Sequence, residues 1–126
     1  MIKGIILKPY AKPEVIEFGH ELKDLQNLVE GYIESVHVES LNQQGIDVWC
    51  NGEGKLKNLE PSAYLLYQDQ IYDIISGNIV FTSFDGDGET ISLNDSQIEY
   101  LSKLLDNHHI AGRHGMLPYI TQEGVY

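Results

Sequence analysis

Ile46-Asp47-Val48-Trp49-Cys50-Asn51-Gly52-Glu53-Gly54-Lys55-Leu56-Lys57-Asn58-Leu59-Glu60-Pro61 changes character midway. Its first five residues alternate apolar and polar and are rich in β-branched and aromatic side chains, the pattern of a half-buried strand. The next ten are polar and punctuated by glycine, and Pro61 then marks a new element. Everything around this stretch is read as a frame that holds the loop at a sheet edge.

Upstream, residues 2–8 are a short apolar run and residues 14–18 have polar ends and an apolar centre. Pro9 and Pro13 lie between them, so the two read as a hairpin. Leu22, Leu25, Leu28 and Val29 recur at helical spacing, predicting an amphipathic helix over residues 20–30 that Gly31 stops. Residues 32–38 alternate again and pair back, across a polar turn at residues 40–45, with the strand that opens the quoted stretch.

Downstream, Pro61 is read as the start of a helical turn or two over residues 62–67. Residues 71–75 are apolar apart from Asp73, and residues 78–84 are the clearest strand of the second half. An Asp85-Gly86-Asp87-Gly88 turn returns it into residues 89–93. A final helix starts at Asn94, with Gln97 completing a capping box and Ile98, Leu101, Leu104 and Leu105 as its buried stripe. Residues 108–126 show no period. These signals give an α+β fold: a single domain over residues 1–107, mainly antiparallel sheet with two main helices packed on it, and a C-terminal tail or extension over residues 108–126.

The 126-residue chain carries 19 Asp and Glu against 8 Lys and Arg, a formal charge of −11. No Lys or Arg falls between Lys57 and Lys103, whereas Glu60, Asp69, Asp73, Asp85, Asp87, Glu89, Asp95 and Glu99 do. Such a block argues against direct nucleic-acid binding and suits a basic protein surface. The apolar run at residues 5–7 is too short for a signal peptide or a membrane span. The lone Cys50 makes no internal disulfide. A cytoplasmic, soluble protein is expected.

Several constellations are weighed for chemistry. Asp85, Asp87 and Glu89 alternate as in the first half of a calcium loop, but Thr90 and Ser96 stand where its glycine and bidentate acid belong. They read as a hairpin turn. His108, His109 and His114 lack ligand spacing, Cys50 has no local base, and no metal or cofactor is expected. Gly52-Glu53-Gly54-Lys55 has the wrong glycine spacing for a P-loop, although positive-φ glycines there would make an anion nest. Asn51, Glu53, Lys55 and Lys57, with Trp49 and Tyr32 beside them, are therefore the candidate ligand-binding residues. Tyr10, Tyr32, Tyr64, Tyr67, Tyr72, Tyr100, Tyr119 and Tyr126 supply amphipathic contact area for a protein interface, a homodimer included.

The order Gly31-Tyr32-Ile33-Glu34-Ser35-Val36, Cys50-Asn51, Glu53-Gly54-Lys55-Leu56, Leu59 to Pro61, Asp73-Ile74-Ile75-Ser76-Gly77-Asn78 and Asp95 to Ile98 resembles a small uncharacterised domain family. That family occurs in bacteriophages, conjugative elements and gut bacteria, and the resemblance spans about residues 2–105. Ser62 and Ala63 stand where the family carries asparagine and a basic residue, and the family transfers no catalytic residue. The resemblance implies an accessory protein of a mobile element. Three functions follow as expectations: a non-enzymatic protein that binds a host protein in a counter-defence role; a protein that sequesters a small anionic ligand such as a nucleotide signal; or an enzyme.

Overall fold

The computed structural model describes residues 1–123; Tyr126, one of the interface candidates, lies outside them. Two sheets and three helices form the described chain. The larger sheet contains β1 (Ile2–Leu7), β2 (Glu14–Phe18), β3 (Ile33–Val36), β4 (Ile46–Asn51), β7 (Ile79–Phe84) and the stub β8 (Thr90–Ile91). Its strands run β2-β1-β7-β4-β3, all antiparallel, with β8 beside β7. The two predicted hairpins are there, pairing Ile5 with Val15 and Ser35 with Trp49.

The apolar runs of β1 and β7 do not alternate because both faces of this sheet are covered. Ile2, Ile6 and Val80 point to one side, where they meet Leu25 and Val29 of α1 (Leu22–Val29). Ile5, Leu7, Ile79 and Phe81 point to the other and join Ile46, Val48 and Cys50 of β4. There they meet Leu101, Leu104 and Leu105 of α3 (Asp95–Asn107). The capping box of α3 is made in both directions: Asn94 Oδ1 accepts from the Gln97 amide at 2.8 Å, and Gln97 Oε1 accepts from the Asn94 amide at 2.9 Å. The turn at residues 40–45 holds one short extra helix, α2 (Glu39–Asn42).

The second sheet, in the order β6-β5-β10-β9, differs from expectation. Residues 61–67 are a strand, β5 (Pro61–Tyr67), not a helical turn. β5 pairs antiparallel with β6 (Gln70–Ser76) and parallel with β10 (Gly115–Thr121). Pro61 fits at a strand's first residue as well as at a helix's, and two flanking partners decide between them. Within the tail without period, β9 (His109–Gly112) and β10 form a hairpin. Ile120 from β10, with Ala63, Leu65 and Ile75, enters the same core cluster as Phe81 and Leu101. The fold is mixed α and β, mostly antiparallel, with two sheets sharing one core where a single sheet was predicted.

Candidate functional site

Asn51 ends β4 and is 4% exposed. Its Nδ2 donates to the carbonyl oxygens of Val29 at 3.1 Å and Glu30 at 3.3 Å, and its Oδ1 accepts from the Glu53 amide at 2.8 Å. The first two bonds satisfy carbonyls at the end of α1 that have no partner within the helix. Gly31 follows there because a Cβ at that position would stand 2.7 Å from Asn51 Nδ2. Asn51 is thus a strut tying helix, strand and loop together, with its side chain engaged by the polypeptide.

The loop from residue 52 to 60 folds back on itself. The Gly54 amide donates to the Asn51 carbonyl, Lys57 to Glu53, Asn58 to Lys55 and Leu59 to Gly54, at 2.9 to 3.2 Å. Gly52 donates to the Tyr32 carbonyl at 2.8 Å. Neither Gly52 nor Gly54 has a positive φ, so the expected anion nest is not formed. Gly54 serves close packing instead: a Cβ there would stand 2.7 Å from the Ser76 carbonyl oxygen.

The other predicted site residues disperse. Lys55 is ion-paired with Asp73 of β6, and Lys57 lies 3.8 Å from Glu53. Burial pushes the Asp73 carboxyl up, but the Lys55 ammonium and the Ile74 amide outweigh it and hold the group below the usual carboxylate range. Trp49 sits on the opposite face of β4, packed against the α1 cluster, with its Nε1 donating to Thr82 Oγ1 at 2.9 Å. Tyr32 is 70% exposed and shares a groove with Lys57, Gln26 and Glu30. Tyr32, Lys57 and Glu53 are the predicted site residues that stay near one another with solvent-facing side chains.

Cys50 borders a narrow cleft of about 120 Å³ with Glu34, Lys55 and Asp73. Burial, reinforced by those two carboxylates, pushes its thiol up to about 11. A nucleophile needs the opposite shift. Asp85 Oδ1 accepts from the Asp87 and Glu89 amides, both at 2.9 Å, and so ties a hairpin turn as expected. His108 stacks edge-on with Tyr119, whereas His114 stacks with Tyr10 and lies 3.8 Å from Glu60.

Tyr67 and Tyr72 were already interface candidates, but the patch they form with Ile71 and Ile74, and one groove, escaped the sequence. Tyr67, Ile71, Tyr72 and Ile74 are 36–51% exposed, all on the β5–β6 hairpin, and β6 is a sheet edge. Asp69, Asp73 and Glu123 border them: Glu123 accepts from the Gln68 amide, and its charge reaches Tyr72. The run Ile71-Tyr72-Asp73-Ile74-Ile75, apolar apart from Asp73, was the available signal, but which of those residues faces out depends on a bulge between Leu65 and Leu66. The second feature is a groove of about 460 Å³ between the loop, β5 and the β9–β10 turn.

A family model described as Domain of unknown function (DUF3846) matches residues 2–106. The chain belongs to that family. The DUF3846 match takes in the loop, the Asn51 strut and the β5–β6 hairpin and stops at the end of α3, so β9 and β10 lie beyond it. No curated protein and no solved structure matches the chain. Among the described residues of this DUF3846 chain, no helix is long and apolar enough to cross a membrane.

Proposed function

We propose that the chain is a non-enzymatic binding protein that docks the β5–β6 hairpin against a basic surface of a second protein. The observation that carries this is the exposed set Tyr67, Ile71, Tyr72 and Ile74 with the carboxylates of Asp69 and Glu123 at its border, Asp73 there being already paired with Lys55. Exposed aromatic and branched side chains gathered on one edge supply the apolar centre of an interface, and the acidic border selects a cationic partner. The formal charge of −11 adds long-range attraction to such a partner. In the mobile-element setting that the sequence resemblance implies, the partner is a host protein in the cytoplasm, and binding counters a host defence.

The non-enzymatic part of the reading is supported by Cys50, whose raised thiol removes the one candidate sulfur nucleophile. The test compares the parent with Ile71→Glu/Ile74→Glu as baits in host lysate. Both replaced residues are exposed, so the fold tolerates the change. A basic protein retained in stoichiometric amount by the parent, lost with the double variant and weakened by salt is the expected result. A partner held equally by both baits refutes the assignment of the surface.

A further inference from the structure

The groove beside the loop has the chemistry of a small-anion site. Lys55, Asn58, Tyr64, Ser76 and Arg113 line it together with one carboxylate, Glu60, and at about 460 Å³ it falls in the size range of small-molecule sites. The side chains of Asn58, Ser76 and Arg113 have no hydrogen-bond or ion-pair partner among the described residues. Three residues whose hydrogen-bonding side chains the fold does not use therefore line one concavity. Lys55 contributes as well: its ammonium has three N–H donors, and Asp73 takes one.

The strand registers put this groove at the less acidic end of the molecule. Leu7 pairs with Ile79 and Trp49 with Val80, so the end of β1, the end of β4 and the start of β7 lie together. Lys8, Lys12, Lys55 and Lys57 belong to the connections at that end. Tyr10 joins the same neighbourhood, with its hydroxyl 3.2 Å from the His114 amide next to Arg113. Asp85, Asp87 and Glu89 lie at the opposite end, where β7 turns into β8. Two carboxylates stand at the groove: Asp73, which is engaged by Lys55, and Glu60, which lines it and lies 3.8 Å from His114 Nε2, an ion pair only when that imidazole is protonated.

We propose that this groove binds a small phosphate monoester carrying a planar group, with the phosphate between Lys55 and Arg113 and the planar group against Tyr64, Leu59 and Pro61. Arg113 offers a planar fork matched to phosphate oxygens, and Asn58 and Ser76 supply neutral donors. Tyrosine, leucine and proline form an apolar wall for a ring. The site depends on Arg113, which is outside the matched residues 2–106, whereas its other lining residues fall inside them.

The test is an amide-resonance titration with adenosine 5′-monophosphate, adenosine and inorganic phosphate on the parent, Arg113→Gln and Lys103→Gln. Arg113 is exposed, so its replacement leaves the fold in place, and Lys103 is an α3 cation outside the groove's lining, paired with Glu99. Saturable binding of the monophosphate is expected, with shifts at Asn58, Ser76 and Arg113. The expected affinity falls at least about tenfold in Arg113→Gln, as when a charged hydrogen bond is lost, and stays unchanged in Lys103→Gln. Absence of saturation up to about 10 mM overturns the proposal, because such binding is weaker than any specific site. Equal affinity in Arg113→Gln, equal binding of adenosine, or inorganic phosphate binding as tightly as the monophosphate overturns it too.

Discussion

Replacing Asn51 with alanine removes three hydrogen bonds at once: two to the end of α1 and one to the loop amide of Glu53. Each is worth about 1 kcal/mol net, and the stranded Val29 carbonyl adds a desolvation cost because its residue is only 1% exposed. Water can still reach Glu30, which lowers the total. The expected loss is therefore about 2–4 kcal/mol of unfolding free energy. With an unfolding entropy of ~2.1 cal/mol/K per residue, a loss of about 3 kcal/mol in a chain of 126 residues lowers Tm by about 11 °C.

Urea unfolding followed by fluorescence of the single tryptophan, Trp49, reads the change directly, since Trp49 packs against the α1 cluster that the strut supports. Glu53→Gln is the control. It keeps the backbone bond to Asn51 and loses only an ion pair between half-exposed groups, so its effect stays below about 0.5 kcal/mol. An Asn51→Ala loss under about 1 kcal/mol would refute the strut. It would return Asn51 to the list of side chains free to meet a ligand.

Three further outcomes follow from the same structure. Ile120→Ala is expected to cost about 2–5 kcal/mol, because this fully buried tail residue packs in the shared core; a near-neutral result in thermal unfolding would mean that β10 is dispensable. Alkylation of Cys50 at pH 8 should proceed about a hundredfold more slowly in the folded protein than in urea, since its thiol is pushed up to about 11. The folded state holds that proton more tightly, so stability from the thiol is present below the ordinary thiol pKa and is lost as pH rises toward 11; comparable alkylation rates in both states would show an accessible thiolate. Sedimentation equilibrium should return the 14.2 kDa monomer at about 100 μM, whereas a dimer dissociated by Ile71→Glu would make the hairpin face a self-interface.

The two hairpins of the larger sheet and the two main helices on it were legible because their signals are local, whereas the place of β7 between β1 and β4 was not read. Proline turns, helical spacing at Leu22 to Val29 and the Asn94–Gln97 box each specify a neighbour within a few residues. The smaller sheet was not, because β5 is defined by β10, more than fifty residues away, through the parallel pairing of Tyr64 with Tyr119. Parallel pairing leaves no hairpin turn to read. The loop misled for a related reason. Its polar residues look available in sequence, but Asn51 is spent on α1 and the glycines serve close packing where an anion nest was expected. The exposed isoleucines of β6 depend on the bulged β5–β6 pairing, and the contribution of Arg113 to the groove depends on the unread pairing of β5 with β10.

Hydrogen exchange on the chain bound to its retained partner addresses the β5–β6 docking face most directly. Slowed exchange is expected across residues 67–74, with the Asp85 to Gly88 turn and β2 unchanged. Protection centred on β2 or α1, with residues 67–74 exchanging as in the free protein, would contradict it.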